Sequence, residues 1–304
     1  MTTRSLNANE VYREKLILLS DLFSLTKPRL SSLVIFTCAL GLFLAPKSVN
    51  SLTAFISIIA TSLLVGGACA INCYMEKEID ALMERTRSRP LPSGRISSQT
   101  ALTFGLSLIL GSLTVLYFLV NPLTALLGAV AGVVYIFMYT PMKRKTSMAL
   151  FAGAIPGAIP PLMGWTTVMN SVDTLGLVLF GILFVWQLPH FLSIAIYHSE
   201  DYKEASIKTH PAHIGIRGTV HRIAVYTYIL FLISVVPYWI GVTTEGYRNA
   251  LFLLGGGYFF YSLFGYTYKE DSKELLTWAR RYFYGSLIYL PSVFILMIYF
   301  KINS

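Results

Sequence analysis

Charge is what this chain has least of. Only 13% of its 304 residues are Asp, Glu, Lys or Arg, 55% are hydrophobic, and the mean hydropathy is +0.61. That scarcity excludes an ordinary soluble domain and a disordered, charge-rich chain. Acids are scarcer than bases, 15 against 24, for a net charge of +9. Cysteine is nearly missing. Cys38, Cys69 and Cys73 lie in or beside apolar runs without metal-ligand spacing, which excludes a disulfide framework and leaves buried, inert thiols. A cleavable leader is missing too: the opening MTTRSLNANEVYREKLILLSDLFSLTKPR is charged throughout, and its apolar pieces are too short. Residues 1–28 read instead as a cytoplasmic arm carrying a mildly amphipathic helix at the membrane interface. No internal repeat stands out, and no stretch between the apolar runs could fold as a soluble domain. Residues 1–304 therefore read as one integral-membrane domain.

Long apolar runs are abundant. They cover roughly 30–46, 52–75, 100–119, 122–140, 147–168, 174–197, 222–242, 248–267 and 282–300, and a spanning helix needs ~20 mostly apolar residues. The expected fold is an all-α polytopic membrane protein of about nine transmembrane helices. With the N-terminus in the cytoplasm, only Lys47, Arg248 and Lys301 of the 24 Lys and Arg fall outside. The positive charge then reports topology and attraction to anionic membrane lipid, and no nucleic-acid partner is implied. Of the acids, only Asp173 and Glu245 lie on the outer side. The two long inner loops, 76–99 and 198–221, hold concentrated charge and are the expected seat of function.

The first of these begins NCYMEKEIDALMERTRSRPLPSGRIS at Asn72. Asn72, Glu76 and Asp80 recur every four residues, so on a helix they share one face where the chain leaves the membrane. Carboxylates at a helix C-terminus oppose its dipole and call for a cation. Arginines and water would serve; so would Mg²⁺, which takes one or two carboxylates and completes its shell with phosphate oxygens and water. Glu78 points away. Arg85, Arg87 and Arg89 follow, and together with the acids they suggest a diphosphate site. In the second loop, Glu200, Asp201 and Glu204 are either the ligands of a second metal or an ordinary wet helix end. Lys143, Arg144 and Lys145, behind Tyr139-Thr140-Pro141, are by default topology markers.

Two spans are unusual inside. The fifth, SMALFAGAIPGAIPPLMGW, carries Pro156, Pro160 and Pro161, and is expected to depart from regular helix. It either lines a cavity or packs closely through its small residues. In the sixth, His190 follows Pro189 at membrane depth, where it could bind haem iron, hydrogen-bond a substrate, or donate to a backbone carbonyl. His198, His210, His213 and His221 are weaker candidates, because no pair has convincing metal-ligand spacing.

The pattern N-x-x-x-E-x-x-x-D followed by R-T-x-x-R-P-L-x-x-G, from Asn72 to Gly94, resembles the first acidic motif of the UbiA superfamily of intramembrane prenyltransferases. Tyr139-Thr140-Pro141 with Lys143-Arg144, GAIPGAIPPLMGW, Trp186-Gln187-x-Pro189-His190-Phe191 and Asp201-Tyr202 are similar to its haem-farnesylating branch. The resemblance implies a helical bundle around a central cavity, capped by the two long inner loops. It implies Mg²⁺ on Asn72, Glu76, Asp80 and Asp201, and farnesyl diphosphate held by Arg85, Arg89, Lys143 and Arg144. Catalysis would rest on Glu76, Asp80, Arg85 and Lys143, with Trp186, His190 and Tyr202 at the substrates. Haem b would enter from the bilayer of a bacterial inner membrane, and the product would pass to a downstream haem-modifying enzyme or terminal oxidase. After Asp201-Tyr202 this chain reads ASIKTHPAHIG, where the family usually has a Pro-Met-Leu segment. The superfamily resemblance also admits prenylation of an aromatic acid, and the proline-rich fifth span admits a transporter.

Overall fold

The computed structural model describes residues 8–84, 86–199, 209–270 and 272–302, leaving aside the side chains of 8–11, 14, 29, 30 and 144. The fold is all-α. Helix α1 (Ala8–Leu25) leads into α2 (Pro28–Leu44), whose first turn accepts Pro28 because that position needs no N–H partner. Lys27, at the junction, adopts the left-handed conformation (φ 50°, ψ 64°). Helix α3 (Ser51–Met75) starts at Asn50, whose side chain accepts from the Leu52 N–H, and is followed by the short α4 (Lys77–Leu82). Helix α5 (Ser98–Leu119) is capped by Ser97 and α6 (Pro122–Val133) by Asn121, each accepting from an otherwise orphaned backbone N–H. A π-helical turn, Val134–Tyr139, passes into α7 (Thr140–Lys145). Then come α8 (Ala149–Met169), α9 (Thr174–Tyr197), α10 (His210–Trp239), α11 (Glu245–Leu263) and α12 (Lys273–Tyr299).

Among the described residues, six helices are long and apolar enough to cross a membrane, so the protein is an integral, multi-pass one. These are α3, α5, α6 continued to Lys143, α9, α10 and α12, while α2 offers a shorter apolar stretch over Ser31–Leu44. Each of the nine apolar runs coincides with helix, but the number of crossings stays an inference from those runs. Phe43, Phe118, Phe137, Leu253, Ile288 and Tyr299 point outward, as lipid-facing side chains do.

Between helices in lipid there is little hydrophobic driving force, so close backbone approach has to hold them together. At the α3–α5 crossing, a methyl on Gly67 would meet the Gly105 carbonyl oxygen at 2.7 Å. Likewise Gly41 of α2 lies against the Pro161 carbonyl, and Gly164 of α8 against that of Cys38. Trp165, Leu179, Ile182, Trp186, Tyr289 and Phe294 fill the largest core between α8, α9 and α12.

Two expectations are corrected. The proline-rich fifth run remains one continuous α-helix, α8. Its missing backbone bonds are tolerated because Pro156, Gly157 and Pro160 border a cavity and Gly41 packs against Pro161. The second inner loop is also shorter than 198–221, because helix resumes at His210. The chain turns there at Gly215, whose φ of 75° only glycine adopts without strain. Residues 200–208, with Asp201, Tyr202 and the ASIK part of the divergent segment, lie outside the described residues, as does Arg85.

Candidate active site

The i, i+4 spacing of Asn72, Glu76 and Asp80 survives the break between α3 and α4. The Glu76 N–H donates to Asn72 O at 2.9 Å and the Asp80 N–H to Glu76 O at 2.8 Å, so the helical ladder runs through the junction. All three side chains are buried, at 1%, 6% and 3% exposure. Buried carboxylates need partners, and each rung has a cation. Lys27 Nζ donates to Asn72 Oδ1 at 2.8 Å, Lys143 Nζ reaches Glu76 Oε1 at 3.2 Å, and Arg89 Nη1 reaches Asp80 Oδ2 at 2.8 Å. Asn72 Nδ2 donates to Thr140 Oγ1, which itself donates to Tyr135 O, fixing the carboxamide so that its oxygen faces Lys27. Thr86 Oγ1 donates to the Asp80 carbonyl at 2.7 Å, tying the arginine-bearing turn to α4. Arg87 instead pairs outward with Glu84 on the surface, and Glu78 is exposed as its phase suggested.

This ladder stands at the mouth of a cavity of about 370 Å³ among α2, α3, α6, α8 and α9, within the range of small-molecule sites. Val34, Leu64, Ala131, Ile159 and Met163 are among its apolar walls, and Lys27, Lys143, Ser147 and Thr209 mark the polar end. The π-helical turn lets Tyr135 and Tyr139 stack at 5.4 Å and both face the cavity. Such turns often mark functional sites. An elongated apolar group with an anionic head matches this shape and charge.

The site residues expected from sequence are brought together in part. Asn72, Glu76, Asp80, Arg89 and Lys143 converge; Arg85, Asp201, Tyr202 and the Arg144 side chain lie outside what is described. Trp186 and His190 face α12 instead of the cavity, which α9 lines through Gln187 and Phe191. Lys27 is a cavity and ladder residue that sequence reasoning counted only as a topology marker; a lysine directly before a helix-starting proline was its available signal. Gln187, Tyr135 and Tyr139 were likewise missed as cavity walls.

Among the described residues, no group of three His, Cys, Asp or Glu comes together as a metal site. Glu76 and Asp80 with the Asn72 carboxamide still form an all-oxygen donor set, which suits a hard divalent cation such as Mg²⁺.

A model of the UbiA prenyltransferase family matches residues 34–288. A protoheme IX farnesyltransferase of Anaeromyxobacter dehalogenans is 43% identical over 282 residues, 93% of this chain and 94% of that protein. One from Rickettsia bellii is 34% identical over 297 residues, covering 97% of each. Among solved structures, a digeranylgeranylglyceryl phosphate synthase superposes with a TM-score of 0.77 at 15% identity, over 92% of this chain and 97% of that one. A UbiA homolog from Archaeoglobus fulgidus bound to DMAPP and Mg²⁺ gives 0.68 at 16% identity, over 91% and 99%. At such identities the structural likeness speaks for the fold.

Proposed function

The chain belongs to the UbiA prenyltransferase family, and from that premise we propose that it transfers the farnesyl group of farnesyl diphosphate to a vinyl group of haem b, adding water to give haem O. Relatives named for that activity match this chain over almost its whole length, which supports the acceptor. The observation that carries the reaction class is the ladder of paired carboxylates and cations at the mouth of an apolar cavity.

Asn72, Glu76 and Asp80 would hold Mg²⁺, with Asp201 as a further ligand. Bound there, the ion would supply positive charge against the diphosphate. Lys143 and Arg89 now neutralise Glu76 and Asp80 while Lys27 holds the uncharged Asn72 carboxamide; with substrate present all three turn to the diphosphate oxygens, where negative charge grows as the C1–O bond breaks. The farnesyl chain lies along Val34, Leu64, Ile159 and Met163, whose walls keep water from the allylic cation. The haem vinyl π pair forms the new bond to C1. Water then adds at the adjacent carbon and loses a proton, so no protein nucleophile is required. By the distribution of basic residues, this end faces the cytoplasm of a bacterial inner membrane.

The test is an assay of purified protein with haem b, farnesyl diphosphate and Mg²⁺, reading products by mass spectrometry. Haem gaining one farnesyl and one water, lost on chelation, is expected. Prenylation of a hydroxybenzoate or naphthoate with haem untouched would overturn the acceptor. No transfer to either by folded protein would overturn the reaction class.

A further inference from the structure

The cavity that opens at the ladder has a definite floor, and the helices around it give its depth. Asn72 Nδ2 donates to Thr140 Oγ1 at 3.1 Å, which sets the inner end of α3 level with the start of α7. From that level Leu64 stands eight residues back along α3, and Gly132 eight residues back along α6, each about 12 Å by helical rise. Both line the cavity. One turn further the space is filled. A methyl on Gly128 would meet Leu64 Cδ2 at 2.7 Å, Met163 Cε at 3.1 Å and Leu116 Cδ1 at 3.5 Å. Those three side chains are buried and belong to one cluster with Ala60, Ala125 and Ile159. Past the cluster, buried hydroxyls join the walls: Ser57 Oγ lies 2.6 Å from Thr167 Oγ1, between α3 and α8, and Thr124 Oγ1 lies 2.9 Å from Thr166 Oγ1, between α6 and α8. Interhelical hydrogen bonds of this kind help hold packed helices together in a bilayer.

Three glycines line the cavity, and two of them are already covered. A methyl on Gly153 would meet the Tyr139 ring at 2.7 Å, and one on Gly157 would meet the Gln187 carboxamide. A methyl on Gly132 would meet nothing within 4 Å, although Gly132 is buried. The space beside it therefore belongs to the cavity.

An extended prenyl chain advances about 1.25 Å per bond, from bond lengths near 1.5 Å. From C1 to the far end, geranyl then measures ~9 Å, farnesyl ~14 Å and geranylgeranyl ~19 Å. With C1 at the level of Asn72, the third isoprene unit of farnesyl passes Gly132 and ends in the turn before Gly128. A fourth unit would reach the level of Gly128, about 18 Å down, where Leu64, Leu116 and Met163 already meet. We propose that this floor selects the prenyl donor by length: the bare Gly132 leaves room for a third isoprene unit, and Leu64 and Met163 deny room for a fourth. The inference rests on the prenyl-transfer reading, whichever acceptor is used.

The experiment gives full-length protein in detergent an equimolar mixture of geranyl, farnesyl and geranylgeranyl diphosphates, with Mg²⁺ and the acceptor that the wild type prenylates. Product ratios are read by mass spectrometry, so a lower yield of folded protein does not move them. The wild type is expected to favour farnesyl. Gly132→Leu puts a side chain where the third unit lies, and its farnesyl-to-geranyl ratio is expected to fall roughly 10–100-fold. Met163→Ala opens the floor, and its geranylgeranyl-to-farnesyl ratio is expected to rise at least roughly 10-fold. Should Gly132→Leu fail to fold, Gly132→Ala is expected to shift the same ratio in the same direction by less. Wild-type transfer of geranylgeranyl as readily as farnesyl, or unchanged ratios in the Gly132 and Met163 variants, would overturn the floor while leaving prenyl transfer standing. If the wild type transfers none of the three to haem b or to an aromatic acid, the reaction class fails instead. Calorimetric titration with the same diphosphates then still reads the floor, and equal affinities for all three would overturn it.

Discussion

Replacing Lys143 by Met separates the two roles of the basic rungs. Lys143 Nζ lies 3.2 Å from Glu76 Oε1, with side chains 28% and 8% exposed. Two unit charges that close attract by roughly 5 kcal/mol at an effective dielectric of about 20. Desolvation and the water still reaching the lysine reduce the net value, to about 1–3 kcal/mol for a pair between the surface and fully buried limits. Met keeps the length and the apolar stem but leaves Glu76 uncompensated in a buried position. A divalent cation can take up that charge. Without substrate, Lys143→Met should therefore bind Mg²⁺ more tightly, by roughly 5–150-fold for a coupling of that size. Turnover should move the other way and fall about 10²–10³-fold, because the ammonium is lost from the departing diphosphate. Calorimetric titration with Mg²⁺, beside a farnesyl-transfer assay, reads both. A folded Lys143→Met protein with unchanged or weaker Mg²⁺ affinity would refute the argument that lysine and metal compete for Glu76.

Other substitutions test other parts of the site. Asp80→Asn keeps the shape and removes the charge that Arg89 meets at 2.8 Å; Mg²⁺-dependent turnover should fall at least ~100-fold, and full activity would remove Asp80 from the metal set. Lys27→Met, which removes the cation from Asn72 Oδ1, should raise KM for farnesyl diphosphate more than it lowers folded yield. A chain acting only through helix entry would show the reverse. Gly157→Ala puts a methyl where the Gln187 carboxamide oxygen sits, on the cavity wall. Displacing Gln187 from Ala154 O and Leu183 O should cost about 1–3 kcal/mol, seen as a lower thermal midpoint in detergent. Gly164→Val should be harsher, since its side chain meets the Cys38 carbonyl, and a normal yield of folded protein would contradict close α2–α8 packing.

The all-α membrane fold was legible because apolar runs and basic loops are local properties, each decided by neighbours a few residues away. The phase of Asn72, Glu76 and Asp80 was legible for the same reason, and even the exposed position of Glu78 followed from it. The helix ends at Asn50, Ser97, Asn121 and Ser272 are marked by residues whose side chains accept backbone N–H groups within the next turn. Family membership was carried by short motifs that stand unbroken in the chain.

What the chain could not show on its own are pairings between distant positions. Lys27 meets Asn72 across 45 residues, Lys143 meets Glu76 across 67, and His190 meets Ser286 across 96. The proline after Lys27 marks a helix start, but the pairing that carries the lysine into the cavity is not written near it. Three prolines argue locally against helix, yet α8 stays continuous because α2 and the cavity lie where its missing bonds would otherwise be exposed to lipid. The sequence by itself determined which segments are apolar enough to enter the membrane and which chemical groups gather at the end of α3. Tertiary structure alone decided which cation neutralises which carboxylate, and which face of α9 turns to the cavity, because both depend on helix rotations set by side-to-side packing.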